Sequence, residues 1–141
     1  MKTMTNRQLK CLIIESSGII AAELEDEMRF AFDAKIVPSS SPTPPEDIDI
    51  AILDCPTSMP ALLSIIDKLR TKTSAFVLTH THDLPFEVVL KGIVYRNLPK
   101  PYSMRAVVKL VSELIDQMDF NKTALATNAR LTKGEDTASG P

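Results

Sequence analysis

The sequence predicts a doubly wound α/β fold, a five-stranded parallel sheet with helices on both faces. Three observations predict it. Short apolar runs recur along the chain, segments with helix-spaced apolar residues separate them, and the connections are short and polar. The strongest run is Asp49-Ile50-Ala51-Ile52-Leu53-Asp54. Its interior has no polar alternation, as expected of a strand buried on both faces at the centre of a parallel sheet. Strands of such sheets present ligands and chemistry at their carboxyl ends, which is where Asp54 stands.

The first strand is Lys10-Cys11-Leu12-Ile13-Ile14, and Glu15-Ser16-Ser17-Gly18 turns it into a helix with Ser16 or Ser17 as N-cap. That helix, over residues 19–32, turns Ile20, Leu24, Met28, Ala31 and Phe32 inward and Glu23, Glu25, Asp26 and Glu27 to solvent. A short strand over 34–37 follows. The proline-rich stretch 38–45 then takes the place of all, or all but a turn, of the second crossover helix. After the central strand, Ser58 caps a helix with Pro60 in its first turn and with Leu62, Leu63, Ile65, Ile66 and Leu69 as its buried stripe. Residues 74–78 form the fourth strand, closed by a loop from Thr79 to Asp83. Residues 84–91 read as a short helix ended by Gly92. The fifth strand runs from Ile93 to Pro99. Ser103 caps a last helix that buries Val107, Val108, Leu110, Val111, Leu114, Ile115 and Met118.

The expected organisation is a flexible N-terminus over 1–8, one folded domain over 9–119, and a disordered tail or linker over 120–141. Hydrophobic residues make up 44% of the 141, enough for a real core, and the net charge of −2 argues against nucleic-acid binding by this domain alone. No apolar run reaches the length of a signal core or a membrane span, so a soluble, cytoplasmic protein is expected. Cys11 and Cys55 lie in or beside apolar runs without metal-type spacing and read as buried free thiols.

The alternation brings the ends of strands one, three, four and five to one sheet edge, and with them Glu15, Ser16, Asp54, Thr79 and Lys100. The set has a chemical logic. A carboxylate that accepts a phosphoryl group needs a cation to screen its charge, a hydroxyl for one phosphoryl oxygen and an ammonium for another.

On these residues, residues 9–119 resemble the response-regulator receiver domains of bacterial two-component signalling, a flavodoxin-like fold. Lys100-Pro101 before a capped helix looks like the receiver Lys-Pro pair. The resemblance implies Asp54 as phosphoacceptor, Thr79 as switch hydroxyl, Lys100 as phosphoryl-binding lysine, and Glu15 as the first acid of an acidic, Mg²⁺-binding region. The departures make it an atypical receiver. Ser16 and Ser17 stand where a second, metal-ligating acid is usual, so Mg²⁺ is expected at a weakened site built on Glu15 and Asp54, or not at all. His80 replaces a small residue beside the switch hydroxyl, and Asn97 falls near the aromatic switch position. The proline-rich loop is similar to the pseudo-receivers of amidase-regulator and nitrate-regulator antiterminators. The RNA-binding ANTAR module of that family has no counterpart here.

Two functions follow from the resemblance. The first is a pseudo-receiver that works as a protein-interaction switch, the reading the missing acid favours. The alternative is a phosphoacceptor receiver in a phosphorelay, phosphorylated on Asp54 by a histidine kinase. Either is a switch rather than a metabolic enzyme. The implied partner is a kinase, sensor or output protein on the face formed by the helix before strand five, strand five and the last helix, with a homodimer as another occupant. For Asp54 a relic carboxylate weighs as much as an acceptor. Two readings weigh less. One is a metal held by His80 and His82 with Glu15 and Asp54. The other is a flavodoxin-like cofactor binder, which lacks a glycine-rich cradle and a tryptophan.

Overall fold

The computed structural model describes residues 8–39, 47–81, 90 and 92–119. Apart from Leu90, the expected helix over 84–91 lies outside the described residues, as do His82, most of the proline-rich stretch and the tail. Five strands form one parallel sheet: β1 (Lys10–Ile14), β2 (Lys35–Val37), β3 (Ile48–Asp54), β4 (Thr73–His80) and β5 (Tyr95–Pro99), in the order β2-β1-β3-β4-β5. The described helices are α1 (Gly18–Phe32), α2 (Met59–Leu69) and α3 (104–119). None is long and apolar enough to cross a membrane.

Strand alternation divides the core in two. Ile13, Ile50, Ile52, Ala75 and Val77 face α1 and α3, and pack with Leu24, Met28, Val107, Val111 and Leu114. Leu12, Ala51, Leu53, Phe76 and Leu78 face α2, and pack with Leu62, Ile66 and Leu69. β3 is buried from Ile48 to Leu53. With helices covering both faces, no position in it can face water, which is why its sequence does not alternate.

The caps fix where the helices begin. Ser17 caps α1 by accepting from Ile20 N at 3.3 Å, Ser58 caps α2 by accepting from Ala61 N at 3.3 Å, and Ser103 accepts from Ala106 N at 3.1 Å at the start of α3. Asp33 closes α1 in the left-handed region at φ 53°, its N–H bonded to Arg29 O at 3.0 Å. At the sheet edge, Arg96 ties β5 to α3 through Gln117, with Nη2 2.8 Å from Oε1.

Four expectations need correction. β4 does not stop at Leu78: Thr79 and His80 continue the ladder, paired with Leu98 and Pro99 of β5, and are buried to 0% and 8% exposure. A polar residue can extend a buried strand when the ladder takes its backbone and a neighbour takes its side chain. β5 begins at Tyr95, two residues later than expected, and β2 at Lys35, one later. Ala31 does not join the inward stripe of α1, which is narrower than a full helical face: Leu24 and Met28 are its buried residues. Phe30, on the outer face, is 88% exposed.

These packing differences set an expected contrast in stability. Ile50→Ala, at a fully buried position, should cost about 2–5 kcal/mol in urea unfolding, and Phe30→Ala should stay within about 0.5 kcal/mol of the native chain. Equal losses would contradict the assignment of inner and outer faces.

Candidate functional site

The order of strands reverses between β1 and β3. From β1 the chain leaves through α1 on one face, and from β3 through α2 on the other. A crevice therefore opens at the carboxyl ends of these two neighbours. Glu15 is the first residue after β1 and Asp54 the last residue of β3. Lys100 follows β5 directly, and its backbone N–H donates to His80 O at 2.8 Å, which carries the parallel ladder one step past the strand. The Lys100–Pro101 peptide is cis.

The structure brings four of the five sequence-predicted residues into direct contact. Lys100 Nζ donates to Asp54 Oδ1 at 2.8 Å and lies 3.5 Å from Glu15 Oε2. Ser16 Oγ donates to Asp54 Oδ2 at 2.9 Å. Glu15 Oε2 also accepts the Ser17 N–H at 3.1 Å. The two serines divide the work: Ser17 caps α1 with its hydroxyl, and Ser16 turns its own to Asp54. The Glu15 side chain is 2% exposed, Asp54 18% and Lys100 20%. The glutamate is thus the inner member, and the Asp54–Lys100 pair is open to the crevice.

Thr79 is close but turned away. It pairs with Asp54 across the β3–β4 ladder, and its buried hydroxyl donates to Leu53 O at 3.4 Å. His80 contributes its carbonyl to Lys100 N. Asn97 is exposed on β5 opposite Leu78. Sequence reasoning did not single out Asp49 or Tyr102. Asp49 is a buried carboxylate at the other end of β3 that accepts Lys10 N at 2.7 Å. Tyr102 is two residues past Lys100, and its hydroxyl is shielded from solvent. The only signals were an acid at the head of an apolar strand and an aromatic just after the Lys-Pro pair.

Electrostatics follow from this geometry. Burial alone would raise the Asp54 carboxyl. Hydrogen bonds from Lys100 and Ser16, with the lysine charge, outweigh it and hold the group below its ordinary value. Burial would likewise lower the Lys100 ammonium, but the hydrogen bond and charge of Asp54, then Glu15, raise it. Both thiols are pushed up to about 12, chiefly by burial, with nearby carboxylates (Asp49 and Glu25 for Cys11, Asp54 for Cys55) adding to the effect. Both are free, and they remain protonated at neutral pH.

Mg²⁺ fits this donor set poorly. Among the described residues no group of three or more His, Cys, Asp or Glu side chains is placed to hold a metal ion. The two carboxylates share an ammonium, and the third position carries a hydroxyl that is itself donating to Asp54. A small, hard dication wants carboxylate and water oxygens in tight octahedral order.

No family model and no curated protein matches the chain. Solved structures that share its fold include the following two. HP1043, an orphan response regulator of H. pylori, is 17% identical with a TM-score of 0.52, over 75% of this chain and 95% of that one. The adenylate cyclase from Rhodopirellula baltica is 18% identical with a TM-score of 0.61, over 90% of this chain and 98% of that one. These likenesses show the flavodoxin-like fold.

The shifted groups set the pH dependence. With its value depressed, Asp54 contributes stability above the ordinary carboxylate value, and the contribution disappears as pH falls through the folded one. With its value raised, Lys100 contributes below the ordinary lysine value, and loses the contribution as pH rises through the folded one. The urea midpoint of Lys100→Met should therefore lie below that of the native chain by a constant gap across neutral pH, a gap that narrows below about pH 4. A gap unchanged at pH 3 would mean that the ion pair adds nothing.

Proposed function

We propose that this chain is an atypical receiver-type signalling domain that acts as a protein-interaction switch, with its acceptor-position carboxylate held by residues of its own chain. One observation carries the reading: both oxygens of Asp54 are engaged, Oδ1 by Lys100 and Oδ2 by Ser16. A carboxylate so held is a weakened nucleophile, because the ammonium and the hydroxyl draw electron density from both oxygens, the same effect that holds its pKa below the ordinary value. The proposed partner is a kinase, sensor or output protein that docks on the segment before β5, on β5 and on α3. Lys100 joins that face to the crevice, since β5 carries its backbone and Asp54 holds its side chain.

A second reading has its own support. Asp54, Lys100 and Thr79 share one strand-end edge, and Asp54 is partly exposed. In this reading an Asp54 oxygen attacks phosphorus. The new O–P bond forms as the donor's bond to phosphorus breaks, and the leaving group takes that electron pair. Lys100 turns to a phosphoryl oxygen, and the Thr79 hydroxyl leaves Leu53 O for another. Ser16 weakens this reading by leaving the incoming charge to a single ammonium.

The test is intact-protein mass after incubation with acetyl phosphate and Mg²⁺, with the folded state checked by circular dichroism. The native chain should remain unmodified. Ser16→Asp, which restores a second carboxylate, should bind Mg²⁺ about tenfold tighter or better and gain a phosphoryl adduct that Asp54→Ala removes again. An adduct on the native chain as abundant as on Ser16→Asp would replace the first reading with the second.

A further inference from the structure

Ile19 and Phe30 are the large apolar side chains that stand exposed among the described residues, at 77% and 88%. Both lie on α1, eleven positions apart, which is close to three full turns. They therefore share the outer face of the helix, about 17 Å from each other, with Ala22, Glu23 and Asp26 exposed between them. Single exposed apolar residues are ordinary on a protein surface, but here the two align on one helix face. The face is also acidic. α1 carries Glu23, Glu25, Asp26 and Glu27 against one cation, Arg29, which pairs with Glu25 at 3.8 Å and with Asp26 at 3.7 Å. An occupant that fits must bring apolar groups spaced to reach both ends, and positive charge beside them.

The chain holds such a segment just past α3. Residues 121–133 contain Lys122, Arg130 and Lys133, no acid, and Leu125 and Leu131 as their large apolar side chains. The topology delivers this segment to the right place. Arg96, near the start of β5, bonds Gln117 near the end of α3, so α3 ends at the amino-terminal edge of the sheet. α1 ends at the same edge, where Gln8, just before β1, donates to Asp33 O at 3.1 Å. Both helices cover the same face of the sheet. Helices packed side by side are about 8–10 Å apart, and residues 120–124 reach up to about 17 Å when extended. From Leu125 to Leu131 the reach is up to about 20 Å, enough to run from Phe30 to Ile19.

We propose that residues 121–133 dock back on the outer face of α1, with Leu125 over Phe30, Leu131 over Ile19 and the cations beside the helix acids. The apolar pair supplies the contact, and the charges select the segment. The docked segment covers the face in cis, and a protein that binds the outer face of α1 has to displace it. The contact releases in urea before the domain unfolds, so the unfolding transition stays indifferent to Phe30→Ala. The inference does not rest on the receiver-type reading.

The test is limited tryptic digestion of the full chain, with cleavage after Arg130 followed by intact-protein mass. Cleavage needs the segment free, so its rate reports the undocked fraction. Phe30→Ala and Leu125→Ser should each speed it about fivefold, with the fold of each variant checked by circular dichroism. The second change made on top of the first should add little, because both remove one contact. The native rate should stay constant over about a hundredfold range of protein concentration, as a contact within one chain requires. In the isotope-labelled full chain, Leu125→Ser should also move the amide NMR signals of Ala22, Glu23, Asp26 and Phe30 and leave those of α2 in place. Equal cleavage rates in native and variant chains, or unmoved α1 signals, overturn the proposal. Protection that grows with concentration overturns it too, since the occupant is then a second copy.

Discussion

Two carboxylates that the topology forces together depend on one ammonium. β1 and β3 are neighbours, so the residues that leave their ends, Glu15 and Asp54, share a crevice. Like charges at such range disfavour joint ionisation, and Glu15 is almost wholly removed from water. Lys100 resolves both problems at once, 2.8 Å from one carboxylate and 3.5 Å from the other. It reaches them from the far side of the sheet. The β4–β5 ladder carries its backbone, and the last rung, Lys100 N to His80 O, fixes where the side chain starts. The centre of the site is thus tied to the edge of the sheet, and a force on β5 reaches the Asp54 carboxylate through the Lys100 side chain as well as through the β4 ladder.

Much of this was legible in the sequence, for physical reasons. β3 announces itself because a strand covered on both faces runs apolar from Ile50 to Leu53 without alternation, and Asp54 marks its end. Glu15 is legible in the same way, as the first charge after an apolar strand, and Lys100 through the proline that follows it and the capped helix beyond. The N-caps of α2 and α3 were legible because a serine before a helix has a local task.

What was not legible depends on partners distant in sequence. Thr79 and His80 look like loop residues because they are polar. They belong to the strand because the ladder and Leu53 O satisfy them. The division between Ser16 and Ser17 could not be read, since either can cap a helix, and only the position of Asp54 decides which hydroxyl is spare.

Ser16 and Lys100 are also consistent with each other as a matter of charge. Glu15, Asp54 and Lys100 together leave one negative charge in excess, beside which Ser16 contributes a hydroxyl and no charge. A carboxylate at position 16 would add a second, and the lysine alone would no longer suffice. On the receiver-type reading, this decides what is able to move the switch. An incoming phosphoryl group adds negative charge where Lys100, the one cation in contact with these carboxylates among the described residues, is already shared, and must break the Lys100–Asp54 contact to use it. A protein partner that shifts β5 or α3 draws Lys100 away without adding any charge to the crevice. The same serine that makes phosphoryl transfer harder leaves mechanical displacement of Lys100 as the less costly route.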